Sequence, residues 1–291
     1  MMKGILGVVV IYNPDIEKLV QNINQYIRNI STLIIWQNSK LSDENKNQIR
    51  HDCENSEKII FDGSGLNQGL DNAFNSALDI AIKEGYTWLL TMDQDSTWVN
   101  FEEYIFCIRE CNDESIGIFG PQTINVYDKQ SLRSENQKSN STVDYVISSG
   151  ALYLVDKLKH IGGFVSDYFI DAIDEEVCYR AQSFGIKTAI IGSAYLMQEF
   201  GEYSKRTFLG KTVAISNYSS FRYYYIVRNH LWLAKSGYVT GKAREIMLRN
   251  YVVSPIIKVI LFEENKSKKI QAMLKGIIEG IIKKPEREVR P

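Results

Sequence analysis

Residues 5–12, ILGVVVIY, form a nearly unbroken run of aliphatic, mostly β-branched side chains. A run that is apolar on both alternating sides fits a strand buried on both faces, as in a parallel sheet covered by helices. Asn13-Pro14-Asp15 ends it, and Pro14 is placed to open a helix, where a missing N–H costs nothing. Leu19, Ile23, Tyr26, Ile27 and Ile30 then recur at helical spacing. The alternation repeats. Strands are predicted over 32–36 and 58–61, a polar helix-compatible stretch over 42–53, and a helix over 70–84 that Gly85 stops. This order of elements predicts an α/β domain with a mainly parallel central sheet flanked by helices.

The next strand, Trp88-Leu89-Leu90-Thr91-Met92, stops in Asp93-Gln94-Asp95-Ser96. Carboxylates one residue apart on a strand point to one face. At the C-terminal end of a parallel strand they stand where ligands bind. Their mutual repulsion is relieved by a hard, oxygen-seeking cation such as Mg²⁺ or Mn²⁺, which also holds phosphates. The plainer alternative is a polar turn in which Asp95 or Ser96 caps the next helix. Tyr12-Asn13 and Gln37-Asn38 end neighbouring strands and are expected on the same rim. Neither a Walker A motif nor a G-x-G-x-x-G follows the first strand, so the usual ATP and NAD readings lack support.

The composition narrows the class. A net charge of −1 over 291 residues gives no sign of general nucleic-acid binding. Cys53, Cys107, Cys111 and Cys178 form no C-x-x-C pair and read as core thiols in a reducing compartment. No h-region with a cleavage site opens the chain, and no apolar run reaches the roughly 18 residues of a membrane span. These features predict a cytoplasmic protein.

Further along, a helix is expected over 101–111 and strands over 116–121 and 187–191, with a polar aperiodic loop over 128–142. Ser148-Ser149-Gly150 separates two apolar runs, and its glycine suits a bulge or close approach to a ligand. Between Asp167 and Glu176 the acids Asp167, Asp171, Asp174, Glu175 and Glu176 sit among aromatic and apolar residues. Such acids either favour a helix N-terminus near Asp174 or supply a general base at a pocket mouth. Residues 218–233 look helical, with Arg222 and Arg228 among aromatics, suited either to a diphosphate or to stacking on Tyr. The basic amphipathic stretch 266–284 can lie on an anionic membrane or pack on the main domain. A boundary is expected between a nucleotide-binding domain over 1–215 and a helical extension over 216–291.

Taken together, seven segments in order resemble the inverting family 2 glycosyltransferases of GT-A fold. They are most similar to the rhamnosyltransferase-like branch and cover about residues 5–235. The segments are VVVIYNP, Gln37-Asn38-Ser39, Asn67-Gln68-Gly69 through Asn75, Met92-Asp93-Gln94-Asp95-Ser96, Ser148-Ser149-Gly150, Phe169-Ile170-Asp171-Ala172-Ile173-Asp174-Glu175-Glu176 through Arg180, and Arg222-Tyr223-Tyr224 with Arg228-Asn229. The resemblance implies a GT-A fold and transfer of a sugar, rhamnose in this branch, from a dTDP-, UDP- or GDP-sugar to a glycan or lipid-linked oligosaccharide in surface polysaccharide synthesis. It implies Asp174 as catalytic base and a divalent cation held by Asp95 with Asp93. Donor contacts fall to Tyr12, Asn13, Gln37, Asn38, Asn67, Gly69, Asp93, Arg222 and Arg228, and acceptor contacts to Ser149, Gly150 and Glu176. Two positions depart from the pattern: Gln37 replaces an Asp, and Gln198 stands where relatives often carry a His near the metal. These departures keep open a non-catalytic nucleotide-sugar or glycan-binding protein on the same fold. A nucleotidyltransferase would carry a Gly-rich loop after the first strand, and Tyr12-Asn13-Pro14-Asp15 is not one.

Overall fold

A computed structural model of the chain describes residues 3–125, 140–198, 204–208 and 211–285. Two compact units divide it. The first comprises Met1–Phe164 and Val177–Glu199; the second comprises Val165–Glu176 and Phe200–Glu288. The second unit therefore starts nearer 200 than the expected 215, and it takes in the acidic segment before Val177. The predicted 128–142 loop lies largely outside the described residues, except for a short strand at its end.

The first unit holds β1 (Lys3–Ile11), α1 (Ile16–Asn24), β2 (Thr32–Gln37), α2 (Asp43–Asp52), β3 (Ile59–Asp62), α3 (Leu70–Glu84) and β4 (Tyr86–Asp93). It continues through β5 (Thr97–Trp98), α4 (Phe101–Arg109), β6 (Ile116–Asn125), β7 (Ser141–Val143), β8 (Ala151–Leu154), α5 (Val155–His160), α6 (Ile173–Ser183) and β9 (Lys187–Gln198); the first turn of α6 belongs to the second unit. The strands form one sheet in the order β3-β2-β1-β4-β8-β6-β9-β5, with β7 also on β9. The half from β3 to β4 is parallel throughout, as the strand–helix alternation requires. Beyond β4 the sheet is mixed, with β8 antiparallel to both its neighbours and β6 parallel to β9.

Local chemistry accounts for the element ends. Ser42 caps α2 by accepting from the Asn45 N–H, and Asp15 caps α1 by accepting from the Lys18 N–H. Gly85 ends α3 at φ 73°, a left-handed position open to glycine without strain. The core is the apolar side of β1 and β2 against Leu19, Ile23, Tyr26 and Ile49, continued by Trp98, Phe101 and Tyr104. Cys53 is buried and free, and burial pushes its thiol up to about 12, which makes it unreactive.

The second unit contains a hairpin of β10 (Ser204–Phe208) and β11 (Lys211–Ile215), then α7 (Ser220–Lys235), α8 (Gly241–Leu248), a π-turn over Arg249–Val253, α9 (Ser254–Phe262) and α10 (Lys266–Ile282). α10 packs on α7 through glycine notches. A Cβ on Gly276 would lie 2.6 Å from the Tyr224 carbonyl, and one on Gly280 would lie 2.8 Å from the Leu231 Cβ. A buried Lys269–Glu263 pair at 2.7 Å, with Tyr223 donating to Glu263 at 2.5 Å, ties the same helices together. The packing alternative for 266–284 thus describes one face of α10.

Candidate active site

Strand register builds the rim of the first unit. Ile11 stands opposite Gln37, Trp36 opposite Asp62, and Val10 opposite Asp93, so four strands end together. The expected pair of carboxylates on one strand needs a correction: β4 ends at Asp93, and Gln94-Asp95 is a turn. The helix after it is capped at Asn100, not at Asp95 or Ser96. Gln94 is the side chain that fixes this turn. Its Oε1 accepts from the Tyr12 N–H at 2.7 Å and its Nε2 donates to the Tyr12 carbonyl at 3.2 Å. Asn22 donates to the Gln94 carbonyl at 3.0 Å and accepts from Thr97 at 2.8 Å, bracing the far side.

Asp93 is held from two directions. Its backbone N–H donates to Ser149 Oγ at 3.2 Å, and Ser149 donates on to Ser96 Oγ at 2.8 Å. Its carboxylate accepts from Gln198 Nε2 at 2.9 Å. A carboxylate only accepts, so the Gln198 nitrogen must face Asp93 and the amide oxygen must face away. That oxygen, Oε1, is buried without a hydrogen-bond partner among the described residues. Two carboxylates and an unpaired amide oxygen are the hard donors Mg²⁺ or Mn²⁺ prefers, with remaining positions suited to diphosphate oxygens. Among the described residues no group of three or more His, Cys, Asp or Glu could hold a metal by itself.

The other expected donor residues divide into two kinds. Tyr12 is 54% exposed at the rim, and Asn13, at φ 47°, is exposed with its N–H on Ser39 Oγ at 2.6 Å. Asn67 is exposed and accepts from the Gly69 N–H at 3.3 Å. By contrast, Gln37 and Asn38 are 7% and 4% exposed. Gln37 donates to the Asp62 carbonyl and accepts from the Leu41 N–H, while Asn38 donates to the Gly69 carbonyl at 3.1 Å and accepts from the Gln68 N–H. The Gln37 amide thus ties Asp62 to Leu41, and the Asn38 amide holds the end of the 63–69 loop. Asp62, exposed at the same rim, has no assignment from the sequence.

Ser149 and Gly150, expected at the acceptor, lie beneath Asp93. Ser149 is 1% exposed. A Cβ on Gly150, at φ 81°, would meet Pro121 Cγ and Trp98 Cζ2 at 3.0 Å, so core packing demands glycine here. Asn75 likewise locks backbone, donating to the Phe164 carbonyl at 2.8 Å and accepting its N–H at 3.0 Å.

In the second unit, Asp167, Phe169, Asp171 and Ala172 all have φ between 62° and 78°. Such conformations cost L-residues about 1–2 kcal/mol each, so something must hold them. Asn229 does: its Nδ2 donates to the carbonyls of Tyr168, Ile170 and Asp171 at 2.8–2.9 Å. Arg228 donates to the Asp167 carbonyl at 2.5 Å and to Asn229 Oδ1 at 2.9 Å. Its guanidinium lies over the Trp232 ring at 4.1 Å and the Tyr225 ring at 4.6 Å. Arg222 forms a forked pair with Asp171 at 3.0–3.3 Å and lies over Tyr218. Both arginines thus lie over aromatic rings and brace the acidic segment.

That segment delivers Asp174 into the first turn of α6, where its Oδ1 accepts from the Glu175 N–H at 3.0 Å. Glu175 is buried, with Oε2 3.4 Å from Nε2 of the buried His230. Burial alone would lower the His230 pKa, but Glu175, the Ile226 carbonyl and Asp171 together raise it. Glu176 lines a cavity of about 240 Å³ with Tyr168, Trp232, Lys235 and Lys284. The sequence assigned no role to Gln94 or His230. A polar residue between two D-x-D acids, and a His inside an aromatic helix, were the available signals.

No protein-family model matches the chain. The dTDP-rhamnosyl transferase RfbF of Shigella flexneri is 25% identical over 293 residues, covering 96% of this chain and 94% of that one. The mannosyltransferase PcManGT of Pyrobaculum calidifontis, solved with GDP-Man and Mn²⁺, matches with a TM-score of 0.60 and 12% identity over 97% of this chain and 88% of its own. S. aureus TarS with UDP-GlcNAc matches with a TM-score of 0.58 and 13% identity over 96% and 82%. At those identities the two structures speak for the fold. The chain has the GT-A fold of these solved glycosyltransferases, and in sequence it is similar to a dTDP-rhamnosyl transferase.

Proposed function

We propose that this glycosyltransferase moves a sugar, rhamnose in the first instance, from a nucleoside diphosphate, with dTDP first in line, to a hydroxyl of a glycan or lipid-linked oligosaccharide, inverting the anomeric centre. Asp174 takes the acceptor proton. The acceptor oxygen bonds the anomeric carbon as the bond to the diphosphate oxygen breaks, and the diphosphate leaves with the electron pair. A divalent cation, when bound, neutralises charge on that leaving group. Asp95 and Asp93 would hold it, with Gln198 Oε1 as a third oxygen. Tyr12 supplies a face for the nucleobase, with Asn13 and Asn67 near it on the rim. Gln37, Asn38 and Gly69 shape that pocket through backbone, and Arg222 and Arg228 act by holding the acidic segment. Glu176, beside Trp232, seats the acceptor, while Ser149 and Gly150 support Asp93 from below.

The observation that carries this reading is Gln198 Oε1, buried beside Asp93 at the ends of the strands and without a hydrogen-bond partner among the described residues. The RfbF similarity and the donor-bound neighbours favour the same chemistry. The test is Asp174→Asn assayed with dTDP-rhamnose. Transfer should fall by about 10²–10⁴-fold, while the donor still raises the melting temperature. Near-normal transfer would remove Asp174 as the base. A wild-type chain that binds donor but releases no nucleoside diphosphate would favour the binding-protein alternative.

A further inference from the structure

The second unit carries apolar surface that its own core does not use. α10 turns Met273, Gly276 and Gly280 inward. Away from that seam, Leu274, Ile278, Ile281 and Ile282 fall at i, i+4, i+7 and i+8, one helical stripe, and are 52–75% exposed. α9 repeats the arrangement. Val259 is buried against Tyr223, Ile226 and Val227, while Val253, the last residue of the π-turn, and Ile257, Ile260 and Leu261 of α9 follow the same spacing at 47–52% exposure. A solvated helix would place polar residues on these faces. Contiguous aliphatic stripes mark a surface with a partner.

The surrounding charge identifies the partner. Residues 241–285 hold ten Lys or Arg against four Glu, in a chain whose net charge is −1. One of the four, Glu263, is spent on the buried Lys269, and Glu279 accepts from Tyr224 at 2.7 Å. Only two of the glutamates are exposed, against eight exposed Lys or Arg. At 100° per residue, Lys268 and Lys275 border the α10 stripe. A second copy docked face to face would oppose like charges. Spanning is excluded for these helices: none of the described helices is long and apolar enough to cross a membrane, and α9 has only nine residues.

We infer that α9 and α10 bind the surface of an anionic lipid bilayer, lying in its plane with their aliphatic stripes at the acyl boundary and their lysines at headgroup phosphates. This goes beyond sugar transfer and needs none of its residues. The surface would hold the enzyme where a lipid-linked acceptor is presented.

The full chain is sedimented with phosphatidylcholine vesicles and with vesicles equimolar in phosphatidylcholine and phosphatidylglycerol. Pelleting is expected on the mixed vesicles only, weakening as salt rises. Ile278→Asp with Ile282→Asp, and separately Lys268→Glu with Lys275→Glu, should each reduce partitioning roughly tenfold or more. Thermal melts followed by circular dichroism establish that both variants fold. No pelleting on the mixed vesicles, equal pelleting on both, or unchanged partitioning of both folded variants would overturn the inference. So would a dimer in sedimentation equilibrium that the Ile278→Asp, Ile282→Asp pair dissolves. Loss of donor binding would leave the inference standing, so the two readings fail separately.

Discussion

The carboxylates of Asp93 and Asp95 and that of Asp174 are placed by opposite means. Asp93 ends a central strand whose register with β1 is fixed by main-chain ladders, and side chains only trim the turn that follows. Asp174 follows a coil in which four of six residues are left-handed, held by the side chains of Asn229 and Arg228. Backbone ladders place a site cheaply and redundantly. A strained coil places one through very few groups, and it is released when one of them goes.

Substitutions separate the two means. Asn229→Leu keeps the branched shape but removes three hydrogen bonds to carbonyls and should cost about 2–4 kcal/mol in chemical denaturation. Transfer should fall as well, with donor binding retained. In the strand-built region, Gln198→Ala should lower Mn²⁺ affinity about tenfold, as losing an orienting partner does, read by titrating Mn²⁺ in the presence of nucleotide. Gln94→Ala leaves the ladder intact and should cost only about 1 kcal/mol. If Gln94→Ala proves as damaging as Asn229→Leu, the contrast between the two regions fails.

The smallest effect is a pH drift in the second unit. The His230 pKa is raised in the fold above its unfolded value of about 6.5. Its pairing with Glu175, with Asp171 adding to the field and Tyr251 stacked on the ring, therefore stabilises fully below that unfolded value. The contribution is lost as pH rises through the folded pKa. Melting temperatures across that window should decline in the wild type and flatten in His230→Gln.

The parts of the fold that local rules control were readable from sequence. The helix 70–84 and its Gly85 stop emerge as expected, as do the first three strands to within a residue or two. The strand was expected over 116–121. A register shift after Pro121 instead carries β6 on to Asn125, paired with the end of β9. In the candidate site the strand-end positions were readable, but the hydrogen bonds of their side chains were not. Gln37, Asn38, Asn75 and Ser149 are buried and hydrogen-bond to backbone, which depends on tertiary packing. The left-handed run could not be foreseen, because Phe169 and Ala172 give no local sign of positive φ.

The Gln94 amide pairs with both the N–H and the carbonyl of Tyr12, as the next residue of a strand would. It acts as an added rung between β1 and β4 just past the point where the main-chain ladder stops. The exposed Tyr12 ring and the two carboxylates that flank Gln94 are therefore mounted on a single stiff frame. Any ligand that touches both is measured against a fixed span, and a ligand of another length must bend to fit.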